Sequence, residues 1–234
     1  ESVVRANAKV VDGLLTDARK DVLALQYDAA LVKLRNAAGF LQKKTEVANA
    51  LLEIVWVYDI TGRRADAAKE LFLAANLLSK NISLPSSADQ AAIRNTMKRI
   101  APKRLTEIEA RYYPKMVLIK KSEGMPAFLM AETETTVWQY AVFLGARGES
   151  IHDDKVIPRP GWGWQGDNPA VFVSWYDAIE YANWLSRQFG RQAAYAIDKT
   201  QQDPDNISEM DQLKWAVSDV PGSKGYRLPS GAEW

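Results

Sequence analysis

The sequence contains no cysteine and a single histidine, His152, in 234 residues. The first absence excludes disulfides, thiolate metal sites and cysteine nucleophiles. The second excludes a site built from two or three imidazoles of one chain, and with it most catalytic zinc and non-haem iron geometries. An excess of one charge sign is also lacking. The formal net charge is +1, so nothing global points to nucleic acid. No apolar run approaches the roughly 18 residues of a membrane span, and none is expected. What is present is ordinary globular composition, 47% hydrophobic and 25% charged. That excludes wholesale disorder and leaves room for one large domain or two smaller ones. The sequence opens at Glu1 rather than at Met, from which removal of a tag or targeting segment is expected.

Distribution says more than totals. Residues 1–112 hold 18 Lys+Arg and 13 Asp+Glu, and residues 113–234 hold 12 and 16, so the balance swings from +5 to −4. Of the eight Trp, only Trp56 precedes Trp138, and Pro and Gly concentrate in the second half. The shift predicts a domain boundary near residue 112.

The first half reads as paired helices. Val4, Ala8, Val11, Leu15, Ala18 and Val22 recur three or four apart and share a face. So do Ala30, Leu34, Ala37, Ala38 and Leu41, then Ala48, Leu51, Leu52, Val55 and Trp56, then Ala67, Ala68, Leu71, Phe72, Ala75 and Leu78. Breaks are expected near 23–26, near 41–45 and at Gly62. A fifth helix is expected to start at Ser87, with Gln90 reaching back to complete the cap. Pro102 should end or kink it, and a short helix should follow to about Tyr112. Tyr27-Asp-Ala-Ala30 corresponds to Ala65-Asp-Ala-Ala68 at an offset of 38 residues (66 − 28). The run from Gly62 to Ala68, with Ala74 and Ala75, resembles the second helix of a tetratricopeptide repeat, although that family repeats at about 34 residues. The resemblance implies a concave face for a partner peptide or a neighbouring domain. A plain helical bundle is the alternative.

The pattern changes at Tyr113. Residues 116–119, 127–130 and 171–173 are short apolar runs expected as strands. Thr136 with Gln139, and Ser174 with Asp177, read as capping boxes opening helices to about Leu144 and Phe189, the second ending at Gly190. On the second helix Trp175, Ala178, Ile179, Ala182 and Leu185 are expected to face inward, with Tyr176, Tyr181 and Trp184 mainly core. Residues 145–169 are too rich in Gly and Pro for regular structure and read as a long loop.

Four ordered stretches here carry a family pattern. They are Pro114-Lys-Met-Val-Leu-Ile119, Glu134-Thr-Thr-Val-Trp-Gln-Tyr-Ala-Val-Phe143, Asn168-Pro-Ala-Val-Phe-Val-Ser-Trp-Tyr-Asp-Ala-Ile-Glu-Tyr-Ala-Asn-Trp-Leu-Ser186 and Gly225-Tyr-Arg-Leu-Pro-Ser-Gly-Ala-Glu-Trp234. Together they resemble the formylglycine-generating-enzyme, or sulfatase-modifying factor, family. The resemblance implies an elaborated C-type-lectin-like, α+β domain. Its signature residues here are Asn168, Ser174, Trp175, Asp177, Tyr226, Arg227, Glu233 and Trp234, expected to be structural, with Arg227 and Glu233 ordering a buried polar network. The expected architecture is therefore α+β: an α-helical, tetratricopeptide-like domain over 1–112, then the first part of a lectin-like domain over 113–234. Ser230 and Glu233 begin a further capping box, and the sequence stops within that first turn, so the domain is expected to be incomplete at its C-terminus.

Active members of the family bind copper through a cysteine pair, and no position here matches it. Related sulfoxide synthases hold iron through histidines on a helical domain, and residues 1–112 contain none. No catalytic residue, no cofactor and no metal are assigned to this segment. Copper or calcium would need ligands from outside it. Trp162, Trp164 and Gln165, in the Gly/Pro loop, are the candidate binding residues, as an aromatic platform for a peptide or sugar. The other reading of these rings is packing. His152 beside Asp153 and Asp154 could bind a metal, and the favoured reading is a solvated histidine in a polar loop. The acidic run Asp198, Asp203, Asp205, Glu209 and Asp211 faintly suggests calcium but lacks the glycine at position six and the terminal glutamate of an EF-hand loop. Asn81-Ile-Ser83 and Asn206-Ile-Ser208 are sequons.

Three functions follow. The favoured one is a non-catalytic recognition protein, a helical interaction module before a lectin-type binding domain, as in the variable proteins of diversity-generating retroelements. The others are a formylglycine-generating oxidase with its active site beyond this segment, and a structural or scaffold subunit. The expected partners are a protein or peptide and the remainder of the domain, in the same or another chain. The expected setting is bacterial and extracytoplasmic.

Overall fold

The computed structural model describes residues 2–83, 89–120 and 124–234, with side chains from residue 6 onward. The fold mixes helix and sheet, with the helices leading: α1 (Ser2–Leu23), α2 (Tyr27–Ala38), α3 (Lys44–Ile60), α4 (Arg64–Leu77), α5 (Gln90–Ile100) and α6 (Pro102–Tyr112). Then come β1 (Met116–Ile119), β2 (Phe128–Ala131), α7 (Val137–Ala146), α8 (Trp175–Gln188), β3 (Tyr195–Gln202) and β4 (Trp215–Asp219). By compactness the chain forms two units, Glu1–Val117 with Ala131–Val171, and Leu118–Met130 with Phe172–Trp234.

In the first unit the helices pack in chain order, α1 on α2, α2 on α3 and α3 on α4. Helix α3 is the central element, with every residue from Val47 to Ile60 except Asn49 and Ala50 buried. Gly62 ends the α3–α4 turn with φ +85°, a left-handed conformation that glycine adopts without strain. Pro102 sits at the first position of α6, where its missing N–H costs nothing, so it starts a helix rather than kinking one. The expected cap Ser87 lies outside the described residues. The residue that caps α5 is Asp89, whose side chain accepts from the Ala92 N–H at 2.7 Å.

Helix α7 packs on α3 and α6, and residues up to Val171 cluster with it, so compactness divides the chain differently from composition. Three aromatic rings join these helices. Trp56 stacks on Tyr112 with centroids 4.7 Å apart, and Tyr112 meets Trp138 of α7 edge-on at 5.8 Å. Two of the three capping boxes expected after Tyr113 open helices, Thr136 with Gln139 on α7 and Ser174 with Asp177 on α8.

The second unit is built on α8 and the antiparallel pair β3–β4, which sequence reading missed. Its polar side chains fasten loops to the helix. Asn183 donates to the Tyr195 carbonyl at 2.8 Å and accepts from the Ala194 and Tyr195 N–H groups. Ser186, fully buried, donates to the Ala182 carbonyl and accepts from the Tyr226 N–H at 2.7 Å.

Three expectations are corrected. Residues 171–173 form no strand, because Phe172 takes φ +59°, which turns the backbone out of the extended region. Trp175 is 52% exposed rather than inward, since it is the first residue of α8 and its ring lies beside Tyr176 at 5.2 Å. Arg227 and Glu233 do pair, through two bonds of 2.7 and 2.6 Å, but the pair is solvent-accessible on the arginine side and is not a buried network.

Candidate functional site

A cleft of about 580 Å³ opens in the first unit. It is assembled from the start of α2, the end of α3, the turn at Arg63, helix α7 and the segment 148–152. Leu25, Val57, Val142 and Ile151 supply apolar wall, and each is buried because it also closes the core behind.

Its polar groups come from three separate places. Asp28 lies in the first turn of α2. The Tyr58 hydroxyl donates to Asp28 Oδ1, and Arg63 donates to the same oxygen at 2.8 Å. The Arg63 guanidinium lies 3.8 Å over the Tyr58 ring and also pairs with Asp66 at 3.3 Å. Burial works to raise the Asp28 pKa, but the bonds from Tyr58 and Arg63 outweigh it and hold the carboxyl below its usual range. Burial and the Asp28 bond push Tyr58 well up. An acid held ionised beside a phenol held protonated is poorly placed to exchange a proton near neutral pH. The arrangement suits binding by shape and charge.

Behind the cleft the wall is held by buried ionic groups. Tyr27, a lining residue, shares a 3.1 Å hydrogen bond with Tyr112, whose hydroxyl donates to Glu53 at 3.1 Å. Glu53 also takes Arg104 at 2.6 Å and Arg111. The Arg111 guanidinium lies 5.0 Å over the Trp138 ring. One buried carboxylate of α3 thus ties α2, α6 and α7 together, and every charge in the group is paired, which is what makes its burial tolerable.

The sequence-predicted residues lie elsewhere. Trp162 is 61% exposed, Gln165 is exposed, and Trp164 is half-buried with its Nε1 buried and without a hydrogen-bond partner among the described residues. None of the three lines the cleft. Asn168 closes the loop on α7, its carbonyl accepting from the Val137 N–H at 2.9 Å. In the second unit Ser174 and Asp177 cap α8, Tyr226 lies against Phe189 at 5.6 Å, and Trp234 is 85% exposed. Of the residues weighed for a site in the sequence, His152 lines the cleft, as do Tyr27 and Asp28 of the internal repeat. Sequence reasoning missed Tyr58 and Arg63. The signal that could have found them is the internal repeat, since its two equivalent aspartates, Asp28 and Asp66, are the two partners of Arg63.

The described residues do not fit a copper site. The sequence has no thiolate to offer, and no group of three His, Asp or Glu among the described residues is placed to hold a metal ion. No helix among them is long and apolar enough to cross a membrane.

A family model described as the sulfatase-modifying factor enzyme 1-like domain matches residues 109–234. A protein of Paenibacillus barcinonensis named "Chaperone protein LppX" is 49% identical over 78 residues, which is 30% of this chain and 28% of that protein. The chain therefore spans less than a third of the curated relative it matches. No solved structure matches.

Proposed function

The chain belongs to the sulfatase-modifying factor enzyme 1-like family, and from that premise we propose that it is a non-catalytic recognition protein whose cleft in the helical unit takes a polypeptide segment. The observation that carries the reading is the state of the cleft's polar groups. Asp28, Tyr58 and Arg63 are locked in mutual bonds that favour their resting charge states, among apolar walls. Ligand sites combine such walls with a few placed polar groups, whereas acid–base sites need a group poised to titrate. The name of the Paenibacillus relative supports a polypeptide as the ligand. A tetratricopeptide-like helical module, a lectin-like second domain and a bacterial, extracytoplasmic setting belong to the same proposal.

Ala29 is exposed on the first turn of α2 and lines the cleft, so Ala29→Trp fills it without entering the core. Peptides selected from a random displayed library on the wild-type protein should lose binding to Ala29→Trp. Equal binding to both proteins would overturn the reading.

Family membership favours a second reading, a formylglycine-generating oxidase in the complete protein. Copper-dependent oxygen uptake with a cysteine-containing peptide would establish it and make the cleft accessory.

A further inference from the structure

We infer that the segment bound in this cleft is basic, a stretch pairing Lys or Arg with small apolar side chains. The inference rests on the cleft being the recognition site and adds the class of its ligand.

The walls are apolar, so the charges at the mouth decide between ligands. The only guanidinium among the lining residues, Arg63, is divided between two carboxylates, Asp28 and Asp66. Both bonds to Asp28 land on Oδ1, so Oδ2 accepts nothing among the described residues, and the side chain is 74% exposed. Across the cleft Glu149 is met by Arg147 through Oε1 at 3.1 Å. The chain then continues through His152 into exposed Asp153 and Asp154, with Lys155 the one cation. Among the lining residues Asp28 and Glu149 stand against Arg63, two acids to one base, His152 aside, and exposed Asp153 and Asp154 follow directly in the chain. A cationic side chain entering beside the Tyr27 and Tyr58 rings would meet free carboxylate oxygens on both sides. An anionic one would meet guanidinium already engaged. This local sign runs against the helical half of the chain, where bases outnumber acids by five (18 − 13).

The library selection separates the inference from the reading under it. The expected result is a set enriched in Lys and Arg that is lost on Ala29→Trp. Binding of its members, followed by fluorescence anisotropy, should weaken about ten-fold with Asp28→Asn plus Glu149→Gln and again in about 0.5 M salt. Glu149→Gln alone is the folding control, since Glu149 lies on a loop with Arg147 as its partner, and it should weaken binding without moving the melting curve. Selected peptides that need the open cleft yet are acidic or neutral, or that ignore both carboxylate variants, would overturn the inference and leave the cleft as a site. Selected peptides indifferent to Ala29→Trp would overturn both.

Discussion

A Cβ on Gly166 would lie 1.9 Å from Cε2 of Trp138, and the Gly166 carbonyl accepts the Trp138 N–H at 3.0 Å. The loop backbone therefore lies flat on a buried indole, with no room for any side chain. Trp138 cannot yield, because Tyr112 and the Arg111 guanidinium pack on its ring. Gly166→Ala should cost about 1–3 kcal/mol through overpacking. Thermal unfolding checks it, and an unchanged melting temperature would show that the loop is not seated as described.

Asp59 carries a different prediction. It is 1% exposed, neither carboxylate oxygen takes a hydrogen bond among the described residues, and Arg94 and Arg64 stand at 3.7 and 3.8 Å. Burial raises its pKa from 3.8 to about 6, against the opposing pull of the two arginines. The folded state then holds the proton more tightly than the unfolded chain. This group's contribution is fully present below pH 3.8 and is lost as the pH rises through about 6. Asp59→Asn should accordingly stabilise the protein at pH 7.5, by on the order of 1–3 kcal/mol, and leave it nearly unchanged at pH 4. Denaturant melts of both proteins at the two pH values measure this. A gain that is the same at both would refute it.

Removing Glu53 should act in the opposite direction. Glu53→Ala removes the buried carboxylate shared by Arg104, Arg111 and the Tyr112 hydroxyl, leaving Arg104 the Asn49 carbonyl and Glu107, and the Tyr112 hydroxyl only Tyr27. Breaking one side of such a group costs about 3–5 kcal/mol. Loss of the circular-dichroism signal at lower urea is the readout.

Ser186→Ala tests the second unit. The hydroxyl is fully buried and serves both the Ala182 carbonyl and the Tyr226 N–H. Its loss leaves the Tyr226 N–H unsatisfied, at about 1–3 kcal/mol. Hydrogen exchange should quicken at Tyr226 before it quickens along α8.

Local signals explain what sequence reading found. The helices α1 to α4 and their breaks follow from periodicity and from Gly62, and the starts of α7 and α8 follow from side chains that satisfy their own first-turn N–H groups. The strands β3 and β4 escaped because β3 is largely exposed and the half-buried residues of β4 run together rather than alternate, so no period-two pattern marks them. Residues 171–173 misled because an apolar run does not reveal a left-handed φ at Phe172. The family was legible because motif residues such as Ser174, Asp177 and Gly225 serve needs of the local backbone: a cap, and a position where a Cβ would meet the Gln192 carbonyl at 2.3 Å.

By itself, the sequence determined the helical start, the family of residues 109–234 and the absence of thiolate chemistry from this chain, because each depends on residue identity and short-range spacing. Tertiary structure alone decided the cleft. Asp28 and Tyr58 are 30 residues apart, and Tyr27 reaches Glu53 through Tyr112, which lies 85 residues on. No periodicity encodes such meetings, since they arise only when α2, α3 and α6 pack and bring their polar side chains together.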